Sequence, residues 1–246
     1  MKFLAGFLVA LTSASALAAE PALTLHQLRG GVYVVEDGYY AKENSAVYIG
    51  RDHVTVVGAT WSPETARLLA AEIGKITPKP ITEVINTNYH PDRAGGNAYF
   101  KSIGAKIIAT EMTRDLMRSG WDGVIAWTRN AIPDYPALPP VLPDTVYPGG
   151  FALQDGRVRA IYLGPSHTPD GIFVWFPEEK VLYGGCILKE QLGNLDYADL
   201  AEYPATLRKL QRLDLGFTAV IAGHYSSVHG PELVGRYIRM LEQRPP

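Results

Sequence analysis

Cysteine is nearly missing from this sequence: Cys186 is the only one among 246 residues. No intramolecular disulfide can form, so the fold must be held by its core alone. Runs of lysine and arginine are missing too. The formal charge is −2 and the sequence pI about 6.3, which excludes a protein that binds nucleic acid through a basic face. No apolar stretch is long enough to span a bilayer. There is no short-period repeat and no low-complexity tract. What remains is 47% hydrophobic and 20% charged, a globular composition long enough for one large core.

The first residues, MKFLAGFLVALTSASALAAE, place one lysine before an apolar run and small residues ending Ala16-Leu17-Ala18. This pattern is expected to be a secretory signal peptide cleaved after Ala18. It leaves no membrane anchor and puts residues 19–246 in the periplasm as a single domain. A lone thiol exported to an oxidising compartment is a liability unless it is buried or bound.

Strand-like runs open the remaining chain: GGVYVVEDGYY, NSAVYIG and HVTVVGA. Ser62-Pro63-Glu64 is a helix start, and the apolar spacing of PETARLLAAEIGKI continues it. TEVINTN and AKIIAT read as strands flanking a helix that runs toward Gly104. TRDLMRSGWDGVIAWTRNAI reads as one long helix, weakened at Gly120 and Gly123 and stopped by Pro133. The proline-rich segment from Ile132 to Gly150 is the crossover between two halves. The second half gives strands in FALQDGRVRAIYLGP, GIFVWFP, KVLYGGC and FTAVIAG. Its helices are expected from about Tyr197 to Leu213 and from Pro231 to Gln243. Two halves of this kind suggest an α/β fold, an αββα sandwich with two sheets face to face, helices outside and the active site between the sheets at the strand ends; composition alone does not choose it over other α/β layouts.

The chemistry-bearing residues follow strands. Asn88, His90 and Asp92 follow TEVIN, His167 follows VRAIYLGPS, Cys186 follows KVLYGG, and His224 follows FTAVIAG. Imidazole, carboxylate and thiolate are the donors that suit zinc, and a zinc ion would also hold the lone thiol as thiolate. Each residue has a blander reading. A cysteine after an apolar strand is ordinarily a small core residue, and Asp92 stands where a helix cap would. His26, His53 and His229 are taken as structural.

The motifs N-x-H-x-D-R at 88–93, G-P-S-H-T-P-D at 164–170, G-G-C-I-L-K at 184–189, L-G-N at 192–194 and A-G-H at 222–224 together resemble a metallo-β-lactamase. Asn88 makes the chain similar to the mono-zinc, carbapenem-selective second subclass of class B, over about residues 25–243. The resemblance implies one catalytic zinc on Asp92, Cys186 and His224. It implies a weak, inhibitory second position at Asn88, His90 and His167, since an amide is a poor zinc donor. It further implies His90, Asp92 and His167 as catalytic residues, with either His90 or Asp92 the general base. Lys189 would bind the carboxylate of a small β-lactam, Asn194 would donate to the same carboxylate or to the lactam carbonyl, and the enzyme would be a monomer conferring carbapenem resistance. The helix with Trp121 and Trp127 would wall the site, or pack those rings in the core. Tyr225 departs from the aspartate expected after the ligand histidine, and Pro91 restrains His90 toward extended backbone. A lactonase or thioesterase of the same superfamily would carry H-x-H-x-D-H, where this chain has Arg93. A zinc-storage protein would need neither Lys189 nor Asn194.

Overall fold

The computed structural model describes residues 22–244. The expected signal peptide lies outside them. A seven-stranded sheet holds β1 (Leu23–Arg29), β2 (Val32–Asp37), β3 (Glu43–Ile49), β4 (Val54–Val57), β5 (Ile81–Ile85), β6 (Lys106–Thr110) and β7 (Thr145–Tyr147), paired in chain order. The strands from β1 to β4 are antiparallel, and those from β4 to β7 are parallel. A six-stranded sheet holds β8 (Phe151–Leu153), β9 (Val158–Ile161), β10 (Phe173–Phe176), β11 (Val181–Gly185), β12 (Ala219–Ala222) and β13 (Val228–His229), in the order β13-β12-β11-β10-β9-β8. Only β11 and β12 run parallel there.

The inner faces of the two sheets share one core. Val34, Tyr48, Val57 and Ile85 of the first sheet meet Val158, Val174, Phe176 and Ile221 of the second. Helices α1 (Pro63–Ile76) and α3 (Asn97–Ser102) cover the outside of the first sheet through Leu69, Ile73 and Phe100. Helices α5 (Tyr203–Arg212) and α6 (Glu232–Gln243) cover the outside of the second through Leu207, Leu210, Leu233 and Leu241. This is the four-layer αββα sandwich. The remaining helices are α2 (Pro91–Ala94) and α4 (Glu111–Ala131).

Local chemistry explains most boundaries. Ser62 Oγ accepts from Thr65 N while Thr65 Oγ1 accepts from Ser62 N, a reciprocal cap with Pro63 in the first turn. Helix α4 is unbroken at Gly120 and Gly123. Gly120 leaves room for the Tyr89 ring, which a Cβ would meet at 3.4 Å. The single helix expected after His90 is two short ones, because Gly95 and Gly96 pass against the backbone of Trp61 and Ala59, where no side chain fits. The proline-rich crossover contributes β7 to the first sheet before passing to β8.

The helix expected from Tyr197 begins six residues later, at Tyr203. Pro204 fits only a first turn, and Asp199 Oδ1 takes the amides of Ala201 and Glu202 in a turn of its own. Strands β1 and β13 were also not expected.

Candidate active site

Strand β5 is followed by Asn86-Thr87-Asn88, and the chain then turns into α2. His90 is the residue before that helix, with φ −73° and ψ 154°, the extended geometry that Pro91 imposes. Asn88 Oδ1 accepts the His90 backbone N–H at 3.0 Å, which ties the amide to its own loop. Asp92 then lies in the first turn of α2. Cys186 follows β11, and His224 follows β12 beyond Gly223.

Three of these side chains converge. Cys186 Sγ is 3.1 Å from Asp92 Oδ2 and 3.7 Å from His224 Nε2, and that nitrogen is 3.2 Å from Asp92 Oδ2. They form the one group of three His, Cys, Asp or Glu donors among the described residues that could hold a metal ion. His224 Nδ1 lies 2.9 Å from the carbonyl of Lys42. A carbonyl can only accept, so Nδ1 carries the hydrogen and the ring turns Nε2 toward the cluster. A thiolate, a carboxylate and an oriented imidazole within one small volume fit zinc. Burial pushes the Cys186 thiol up to about 12 against the pull of Arg93, so a metal that binds there must displace the thiol proton.

Arg93 lies behind this cluster and is completely buried. Its Nε donates to Cys186 Sγ at 3.0 Å, and its Nη2 lies 3.1 Å from Asp92 Oδ2. Nη1 donates to Glu43 Oε2 at 2.6 Å, to Tyr183 OH and to Asn44 O; Nη2 donates to Gly223 O. Burial raises the Glu43 pKa while Arg93 opposes the shift. The guanidinium thus ties the two anionic donors to both sheets. It also occupies the place in the motif where a second metal ligand would stand.

The other proposed position is built differently. His90 and His167 rings meet edge to face, with centroids 5.4 Å apart. His90 Nε2 is buried without a hydrogen-bond partner. Burial lowers the pKa of His90 to about 4 and that of His167 well below its ordinary value, so both imidazoles are neutral at pH 7. Lys189 Nζ approaches His167 Nδ1 at 3.5 Å. Lys189 is buried, burial pulls it down to about 8, and no carboxylate pairs with it among the described residues.

A cavity of about 340 Å³ opens over these groups. Its floor is His90, Asp92, His167, Lys189 and His224. Trp61, Trp127, Ala41, Lys42, Gly193, Asn194 and Tyr225 complete its lining. Of the two tryptophans expected here only Trp127 faces the cavity, its Nε1 donating to Asp196 Oδ2 at 3.0 Å. Trp121 is core, with Nε1 donating to Leu138 O. Asn194 is turned onto Asp196, which takes its Nδ2 and donates a backbone N–H to its Oδ1. One amide hydrogen is left for a ligand. His53 lies against Glu83, His229 against Ser226, and His26 is exposed, all three outside the site.

Sequence reasoning missed Lys42, Glu43, Trp61 and Tyr197. Tyr197 stands 4.9 Å from the His90 ring and 6.0 Å from Trp127, centroid to centroid. No motif marks any of the four; the signal would have been their neighbours across the sheets.

The sequence pattern of the metallo-beta-lactamase superfamily matches residues 41–224, from the cavity wall to the last metal-donor candidate. The chain belongs to that superfamily. A relative described as metallo-beta-lactamase type 2, from Elizabethkingia meningoseptica, is 29% identical over 236 residues, 91% of this chain and 88% of the relative. A solved metallo-beta-lactamase from Pontibacter korlensis superposes with a TM-score of 0.77 at 20% identity, covering 90% of this chain and 100% of that one. The crystal structure of DIM-1 metallo-beta-lactamase gives 0.76 at 21% identity, covering 90% and 98%. At such identity the two structures speak to the fold, and they share the sandwich described above.

Proposed function

We propose that this superfamily member hydrolyses β-lactams as a mono-zinc, carbapenem-selective enzyme. It works as a periplasmic monomer after loss of residues 1–18, with residues 19–246 forming one domain, and it confers carbapenem resistance. The observation that carries the reading is the asymmetry at Asn88. A complete donor set stands at Asp92, Cys186 and His224, while the neighbouring position offers an amide already tied to the His90 backbone.

Asp92, Cys186 and His224 would hold the zinc. The ion, when bound, supplies Lewis-acid stabilisation to the nitrogen that leaves as the lactam opens. The chain's own groups do the rest. Lys189 is a buried cation with no acidic partner among the described residues, so it takes the carboxylate that β-lactams carry, with the free Asn194 amide hydrogen beside it. His90 Nε2, neutral and unpartnered, and Asp92 hold the attacking water. One of them accepts its proton as the oxygen bonds to the carbonyl carbon. The C–N bond then breaks, and the proton passes to the ring nitrogen. His167, held neutral beside Lys189, orients the water. Trp61 and Trp127 exclude solvent from one side. Asn88 has a positioning role in this scheme: it fixes the loop that aims His90.

The test is turnover of imipenem, a penicillin and a cephalosporin side by side, with and without chelator. Imipenem should be hydrolysed efficiently, the other two poorly, and chelator should abolish turnover. Similar kcat/KM for all three would remove the selectivity, and turnover indifferent to chelator would remove the metal.

A further inference from the structure

Tyr225 directly follows the metal-donor candidate His224, yet nothing in the scheme above uses it. Its backbone is left-handed, with φ +63°, a conformation that is strained for a bulky L-residue and persists only when neighbours impose it. The neighbours are visible. Asn44 Nδ2 donates to Tyr225 O at 3.2 Å, and Ala222 N to Ser227 O at 2.8 Å. Glu190 Oε2 takes both the backbone N–H and the hydroxyl of Ser226. Glu190 belongs to the loop that carries Lys189, so the two loops are clamped together one residue beyond Tyr225.

The clamp holds the ring on the cavity wall, more than a third exposed. The Tyr225 hydroxyl makes no hydrogen bond to the described residues. It lies 3.3 Å from the point where a Cβ on Gly193 would stand, and Lys189 Nζ lies 3.4 Å from that same point. A free hydroxyl and an ammonium without an acid partner among the described residues thus both lie within 3.4 Å of one point over Gly193, with no hydrogen bond between them, and can share one anion. Any side chain at 193 would fill that gap, and Gly193 itself has φ +62°.

We infer that Tyr225 is a second donor for the substrate carboxylate, its hydroxyl acting beside Lys189 across Gly193. The inference rests on the β-lactam reading for the identity of the anion. The strained turn places this hydroxyl beside the Lys189 ammonium. A charge-assisted hydrogen bond of this kind is expected to contribute about a tenfold effect on binding.

The test measures imipenem binding to metal-free protein by calorimetry, which needs no turnover, and KM and kcat on the zinc-loaded enzyme. Tyr225→Phe keeps the ring and removes the hydroxyl. It should weaken imipenem binding and raise KM about tenfold, with a much smaller change in kcat. The methyl ester of the same carbapenem should bind wild type and Tyr225→Phe alike. Tyr225→Gly suits the positive φ, so it should melt no lower than the wild type while losing the same affinity. Equal imipenem affinity in wild type and Tyr225→Phe overturns the inference, as does an equal loss for acid and ester. Absence of imipenem binding by metal-free wild type also overturns it, since the subsite needs no metal. Tyr225-dependent binding without hydrolysis in any zinc-loaded preparation would leave the inference standing and remove the hydrolase reading instead.

Discussion

Two sets of donors lie side by side in this cavity. Asp92, Cys186 and His224 come from both halves of the chain, and their donor atoms all lie within 4.8 Å of one another. Arg93 and the Lys42 carbonyl hold them from behind. Asn88, His90 and His167 lie equally close to strand ends, but their set has no anionic member. Its amide is committed to its own loop, and an ammonium stands 3.5 Å from one imidazole. The first set has donors that can carry negative charge, with one guanidinium behind them, and the second sets an ammonium against neutral donors alone. Charge and prior hydrogen bonds, more than donor count, separate a metal position from a pair of histidines.

The comparison breaks most sharply at Arg93. Arg93→Ala leaves the buried Asp92 carboxylate without its guanidinium partner, and chemical denaturation of the metal-free protein should show a loss of roughly 3–5 kcal/mol. Stability within 1 kcal/mol of wild type would mean that the buried pair does not brace the first set. Next in size is Cys186→Ser. Losing a supporting partner of a metal ligand typically costs 10–100-fold in affinity, so losing the ligand itself should cost at least about 100-fold, read by chelator competition. Unchanged zinc content would place the metal elsewhere.

A smaller effect comes from protons. The thiol is raised to about 12, so it is protonated in the metal-free protein at neutral pH, and zinc must expel that proton. Affinity should therefore climb about tenfold for each pH unit between pH 7 and 8.5. A flat profile would mean that the thiol is already ionised before metal arrives. The subtlest prediction concerns the second set. Zinc titration of the wild type should show weak second binding that lowers imipenem turnover, and Asn88→His should tighten that second ion about tenfold without restoring broad activity. Two equally tight ions in wild type, with activity rising as the second binds, would erase the contrast between the sets.

Much of the site was legible because its residues sit at strand ends, where apolar runs stop and Gly or Pro begins. That rule and donor chemistry made Asp92, Cys186 and His224 candidates alongside His90 and His167, and the resemblance to metallo-β-lactamases singled out the three. The sandwich was legible from two successions of strands and helices around a proline-rich crossover. The start of α5 was not, because the Asp199 turn and Pro204 decide it locally against the apolar spacing. Consequently Tyr197, assigned to a helix, belongs beside His90 instead. Lys42 and Glu43 gave no sign of themselves, since they stand some 180 and 140 positions from the side chains they serve at His224 and Cys186.

What the sequence determined by itself is therefore chemical type and local placement: which donors exist, and that each follows a strand. Periodicity and turn residues act over a few positions, so these features survive without any knowledge of the partner sheet. The tertiary structure alone decided which polar atoms are already engaged and which are free. Asn44 joins the start of β3 to Ala222 and Gly223 at the end of β12, and that one seam brings Glu43 to Arg93 and the Lys42 carbonyl to His224. Whether Lys189 has an acid partner, or Tyr225 a free hydroxyl, depends on how two sheets and their loops meet. Electrostatics and hydrogen bonding act through space, and the sequence orders residues only along the chain.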